Sequence, residues 1–307
     1  MDGPTRDFVG YGQHPPDPRW PGGARLALSF VLNYEEGGEH AIPDGDDYSE
    51  TMTLEVIGAH PVPGRRILHF ESMYEYGSRV GFWRVHRLFT QAGVPLTVFA
   101  VGKALERNPE AARAMADAGW EVIGHGWRWI DYGDMPEAEE RDHIRRTNAV
   151  IEELTGQRPE GWFTGRASAA TRRLAVAEGA LYDSDSFADE LPYWVAVEGQ
   201  PHLVVPYSLD ANDFKFALDN GFVTGDQFER FLVDTFDQLY EEGATMPRLM
   251  SVGLHCRMIG KPGRARALGR FLEHVARHPD VWVTTRAEVA RHWRDTFPPP
   301  ANQLPLG

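Results

Sequence analysis

Residues 25–38 read RLALSFVLNYEEGG: an apolar run of strand length, Arg25 to Asn33, breaks into an acidic, glycine-containing loop. Outward from this stretch, runs of strand length alternate with segments of helical period. A helix carrying Phe82, Trp83, Val85, Leu88 and Phe89 precedes a strand over Leu96 to Val101. Asn108 reads as a helix cap with proline at the first helical position, and Gly119 closes that helix. A strand over Glu121 to Gly124 follows, then a helix from Pro136 to Leu154, ended by Gly156. Further strands are expected at Gly161 to Thr164, Leu203 to Tyr207, Leu249 to His255 and Val281 to Thr284. Phe228, Phe231, Leu232, Phe236 and Leu239 have the spacing of a helix packed on a core. Such alternation requires crossover connections and predicts an α/β fold with a parallel sheet, a closed or nearly closed barrel of about seven units.

At 307 residues and 42% hydrophobic, the chain can bury a sizeable core, and neither a repeat nor a linker divides it. One domain over 25–297 is expected, with a Pro- and Gly-rich arm over 1–24 and a tail over 298–307 that has little to bury. The formal net charge of −14 speaks against a nucleic-acid partner, since a phosphate backbone would be repelled. No apolar run reaches the roughly 18 residues of a membrane-spanning helix, and the first residues show no secretory signal. The single cysteine, Cys256, excludes an intrachain disulfide and fits a reducing compartment, so a cytoplasmic location is expected.

In barrels the chemistry gathers at the carboxyl ends of the strands. The first cluster there is Asn33-Tyr34-Glu35-Glu36-Gly37-Gly38, whose paired carboxylates suit a general base. A solvated loop is the competing reading, and the position at a strand end favours the base. In Gly124-His125-Gly126-Trp127-Arg128-Trp129, the glycines open His125 to a pocket, though a structural histidine is an equal alternative. The residue four places on, Trp129, cannot ligate a metal. In Leu254-His255-Cys256-Arg257, His255 suits a general acid for a leaving nitrogen. Strand neighbours point to opposite faces, so Cys256 reads as a buried structural thiol. Arg166, after Trp162-Phe163-Thr164-Gly165, either anchors carbonyl oxygens or pairs with a surface acid. Tyr182-Asp183-Ser184-Asp185 and the Glu71 to Arg79 segment, with Glu71 and Tyr76, are similarly ambiguous.

Taken together, these motifs resemble the polysaccharide deacetylase (NodB-homology) family and, within it, the metal-independent allantoinases. NYEEGGE, ESMYEYGSR, VPLTVFAV, RWIDY, LTGQRP, TGR, LYDSD, LPYW, VPYSLDANDF, LYEEGAT and GLHCRMIGKP carry the likeness, which runs from Asp7 to Trp293. It implies a distorted (β/α)7-type barrel. The family's deacetylases have an aspartate pair, one base and one metal ligand, and two histidine ligands four residues apart. Here Glu35 and Glu36 stand at the pair, His125 at the first histidine and Trp129 at the second. Loss of one ligand in three implies no catalytic metal and no cofactor.

The resemblance further implies hydrolysis of the cyclic amide of allantoin to allantoate. Glu35 or Glu36 would activate water, His125 and Arg166 would hold the oxyanion, and His255, at the family's late histidine, would protonate the ring nitrogen. Asn33, Tyr34, Glu71, Tyr76, Trp127, Trp129, Arg166 and Asp185 are the expected substrate contacts. A small cyclic amide is the expected partner, and a homotetramer the implied assembly. Another cyclic imide or hydantoin, an N-acetyl sugar, and a non-catalytic ureide-binding role are the alternatives.

Overall fold

The structure, a computed structural model, describes residues 6–299, so the first residues of the arm and most of the tail lie outside it. Its strands are β1 (Leu26–Tyr34), β2 (Thr97–Ala100), β3 (Glu121–Gly124), β4 (Gly161–Trp162), β5 (Tyr182–Asp183), β6 (Tyr193–Val197), β7 (Gln200–Val204), β8 (Arg248–His255) and β9 (Val281–Val283). The helices are α1 (Leu68–Tyr76), α2 (Phe82–Ala92), α3 (Gly102–Arg107), α4 (Pro109–Asp117), α5 (Glu137–Thr155), α6 (Thr171–Ala177), α7 (Gly225–Glu242), α8 (Cys256–Ile259), α9 (Pro262–Val275) and α10 (Arg286–Thr296). The sheet runs β6-β7-β5-β4-β3-β2-β1-β8, with β9 beside β1. It curls into a barrel wrapped by helices.

β1 organises the molecule because every residue in it is buried. One edge pairs with β8 along its length; the other pairs with β9 at the start and β2 at the end. Leu26, Leu28, Phe30 and Leu32 face outward into the layer formed with Phe82, Val85, Phe89 and Phe271. The alternate residues Ala27 and Val31 face inward with Phe99, Ile123 and Phe163. The small inward side chains leave room for these rings. As the cap reading expects, the Asn108 side chain accepts the Ala111 N–H at the start of α4.

The parallel expectation fails at one place: β6 and β7 form an antiparallel hairpin. Its turn residues Glu198 and Gly199 take φ of 49° and 78°, the left-handed geometry of a two-residue hairpin. The strand expected over Leu203 to Tyr207 is accordingly shifted to β7. Beyond it the chain crosses to β8, where the Gly253 N–H donates to Ala211 O at 2.9 Å and Asn212 bridges to Gly253. A Cβ on Gly253 would overlap the Asn212 carboxamide and the Tyr207 hydroxyl, so this closure requires glycine.

The arm covers the amino end of the barrel, away from the loops that follow the strands. Trp20 is buried there, packed on Trp282 and Trp293, and its Nε1 donates to Arg248 O at 3.0 Å. Among the described residues no helix is long and apolar enough to cross a membrane.

Candidate active site

Glu35 follows β1, His125 follows β3 and His255 ends β8. Since β1 lies beside β8, and beside β2 and then β3 on its other edge, their carboxyl ends are adjacent. All three side chains are buried, and they meet at one atom. Glu35 Oε1 lies 3.3 Å from His125 Nε2 and 3.5 Å from His255 Nε2. His125 Nδ1 donates to Phe163 O at 2.9 Å, and its ring stacks on Phe163. That bond fixes the ring, so Nε2 is the nitrogen that faces Glu35.

His255 is held by a residue that the sequence reading passed over. Asp213 Oδ1 accepts from His255 Nδ1 at 2.6 Å, while Oδ2 accepts the backbone N–H groups of His255 and Ile259. Burial opposes charge on this imidazole, but the carboxylates of Glu35 and Asp213 outweigh it and raise its pKa to about 9. His255 is therefore charged at neutral pH, with Nε2 carrying a proton on the side facing Glu35. The VPYSLDANDF motif contains Asp213, but nothing local ties it to a histidine 42 residues on.

Arg257 is the second residue missed. Its buried guanidinium lies over the Tyr74 ring and is anchored by Nε–H donation to Thr53 O. Nη2 sits 2.7 Å from Glu35 Oε2, and Nη1 3.3 Å from Glu36 Oε1. The contact with Oε2 is ionic and is not aligned along an N–H bond; that oxygen accepts no hydrogen bond among the described residues. Burial pushes the Glu35 carboxyl up, yet Arg257 and then His255 overcome it and hold its pKa well below the usual value.

Glu36 has the opposite character. Burial raises its pKa, and the charge of Glu35 adds to this against the pull of Arg257. It lies behind the pocket, packed on Gly77, with Oε1 accepting the Arg257 N–H and Oε2 the Glu35 N–H. The two carboxylates left open by sequence thus differ, and Glu35 alone contacts both imidazoles. Cys256 is fully buried in the outer core, and burial lifts its thiol pKa far above the ordinary value.

The expected substrate contacts divide. Trp129 and Arg166 stand at the mouth: the Trp129 ring lies between the Arg257 and Arg166 guanidinium groups, at 5.2 and 4.5 Å. Arg166 also donates to Trp129 O at 2.9 Å. Asn33 lies deeper, donating to the Tyr207 hydroxyl and to Leu254 O. The other five are corrections. Tyr34 faces the outer core and bonds Ser78, because it alternates with the inward Asn33. Trp127 is wedged against Gly102 beneath Arg146. Glu71 is taken up by Ser49 and Arg66, and the Tyr76 hydroxyl by Gly260 O and Arg84. Asp185 braces the loop after β4, accepting the Thr164 and Gly165 N–H groups.

These residues do not fit a divalent ion. An indole occupies the position of one imidazole ligand, and a buried guanidinium already faces both carboxylates. An added cation would meet that fixed charge at close range. Among the described residues, no three donors at the mouth come within ligating range of a common ion.

The comparisons with known proteins agree with this architecture. The polysaccharide deacetylase family model matches residues 66–182. A Schizosaccharomyces pombe protein provisionally named a polysaccharide deacetylase is 41% identical, covering 96% of this chain and 98% of its own. The crystal structure of a probable polysaccharide deacetylase from Pseudomonas aeruginosa PAO1 superposes with a TM-score of 0.93 at 53% identity, covering 96% of this chain and 99% of that one. That of PuuE allantoinase superposes with a TM-score of 0.94 at 52% identity, covering 98% and 100% of the two chains. A nearly full-length relative above 40% identity, on the same barrel, makes this chain a member of the polysaccharide deacetylase (NodB-homology) family, hydrolases of carbon–nitrogen bonds.

Proposed function

We propose that this protein is an allantoinase that opens the cyclic amide of allantoin to allantoate without a metal ion. One observation carries the reading: an ionised carboxylate, Glu35, stands within 3.5 Å of a charged imidazole, His255, and beside the fixed cation Arg257. The likeness to PuuE allantoinase over 98% of the chain supports the choice of substrate.

In this reading Glu35 takes a proton from water as its oxygen attacks a ring carbonyl carbon. Negative charge then builds on the carbonyl oxygen, where His125 and the rim cation Arg166 can stabilise it; such donors contribute about 3–4 kcal/mol each in well-formed sites. His255 Nε2 passes its proton to the ring nitrogen as the C–N bond breaks. The proton held by Glu35 restores His255, and the new carboxylic acid ionises in solvent. Trp129 shields the site from bulk water, and Arg257 holds Glu35 anionic until water attacks. A cytoplasmic location and a homotetrameric assembly, implied by the same resemblance, belong to this proposal.

The names of the deacetylase relatives keep one rival in view: removal of acetyl groups from an N-acetylated sugar. Chelator-treated protein is to be assayed on allantoin, hydantoin, succinimide and a chitooligosaccharide. Allantoin hydrolysis undiminished by the chelator is expected. Acetate release from the oligosaccharide with no turnover of allantoin would overturn the proposal.

A further inference from the structure

Away from the barrel mouth, α7 and α9 bring three ligating side chains together at the surface. Asp237 lies on α7, His274 in the last turn of α9, and His278 one turn later. One donor atom of each lies within 4.8 Å of the other two, and all three are partly exposed. The geometry points to a transition-metal site here, formed by Asp237, His274 and His278, that takes Zn2+ or Co2+ and plays no part in the chemistry at the barrel mouth.

The donor set suits such ions, which favour imidazole nitrogen completed by carboxylate oxygen. His278 is prepared for the role. Its Nδ1 donates to the His274 carbonyl at 3.0 Å, which fixes the tautomer and leaves Nε2 with its lone pair, as a metal-ligating histidine requires. Both rings are also held in place: Phe236 lies edge-on to His274 and His278 at 5.3 and 5.0 Å, and Tyr240 packs on His278 at 4.9 Å.

A simple ion pair between His274 and Asp237 would need neither His278 nor its oriented ring. His274 Nε2 and Asp237 Oδ1 are 2.7 Å apart and share a proton. Ligands on a tetrahedral zinc ion lie roughly 3.3 Å apart, so the proton must leave and Asp237 must withdraw by about 0.6 Å. Asp237 can do so, because its side chain is 46% exposed. Waters would complete the coordination. A metal carried by the purified protein would then sit on this face, and its presence would say nothing about catalysis.

The test reads metal binding and is independent of the reaction. Chelator-stripped protein is titrated with Co2+, followed by its visible absorption, and with Zn2+ by calorimetry. One saturable equivalent is expected. His278→Phe, which keeps the aromatic packing, and Asp237→Asn should each weaken binding at least tenfold while His125→Gln leaves it unchanged. Absence of saturable binding, wild-type affinity in both surface variants, or loss of binding in His125→Gln would each overturn the assignment.

Discussion

At the scale of single residues, the site separates two adjacent glutamates by role. Glu35 is anionic and faces both imidazoles, whereas Glu36 is packed behind it with a raised pKa. Glu35→Gln is therefore expected to lower kcat by roughly 10²–10⁴-fold, with Glu36→Gln costing clearly less. Comparable losses in two equally folded variants, measured in steady-state assays, would refute this division. Asp213 controls the acid. Because His255 works in its protonated form and titrates at about 9, activity should persist to that pH and fall above it. Asp213→Asn removes one of the carboxylates that raise this pKa, so the alkaline limb of the kcat profile should move to lower pH. An unmoved limb with kcat merely reduced would show that Asp213 acts only by placement.

At the scale of elements, the crossing from β7 to β8 is what delivers Asp213. The segment reaches β8 at Gly253, where Asn212 and Tyr207 pack too closely to admit a Cβ. The carboxamides of Asn33 and Asn212 both donate to the Tyr207 hydroxyl, tying β1, β8 and the crossing together below the catalytic groups. Gly253→Ala should destabilise the protein by about 1–3 kcal/mol through overpacking. It should also lower kcat, because Asp213 follows Asn212 directly. Denaturant unfolding and turnover of this variant, run side by side, check both effects. Wild-type values in both would mean that the crossing is not under this constraint.

For the molecule as a whole, the buried titratable groups set the dependence of stability on pH. Burial raises the Glu39 pKa to about 7 and that of Asp185 to about 6. In the folded state these acids keep protons that the unfolded chain has released, so their contribution shrinks as pH rises from about 4 toward 7. His255, raised to about 9, contributes fully below its unfolded value of about 6.5 and loses that contribution as pH climbs to 9. Glu35 and Asp183 are depressed, so their stabilisation is present above their unfolded values of about 4 and is lost as pH falls below them. The thermal midpoint should peak near pH 5 and decline toward pH 9, across a range in which turnover is sustained. A midpoint that climbs between pH 5.5 and 9 would contradict this account.

What the sequence by itself determined is local and periodic. Apolar runs place β1, β2, β3, β8 and β9 within a residue or two, and a cap followed by proline places α4, because these signals lie within one turn or one strand. The strand-end rule brings Glu35, His125 and His255 to one mouth. Period-two alternation separates Cys256 from His255, but it stops at the strand ends, so it neither places Arg257, which lies in α8, nor divides Glu35 from Glu36, which follow β1. Only the tertiary structure supplied the rest. The Asp213–His255 bond and the guanidinium over Tyr74 depend on which segments meet after the sheet curls. Such pairings join residues tens to hundreds of positions apart, where no periodicity connects them. Tyr76 and Trp127 carry suitable chemistry, but helix packing turns them toward other partners.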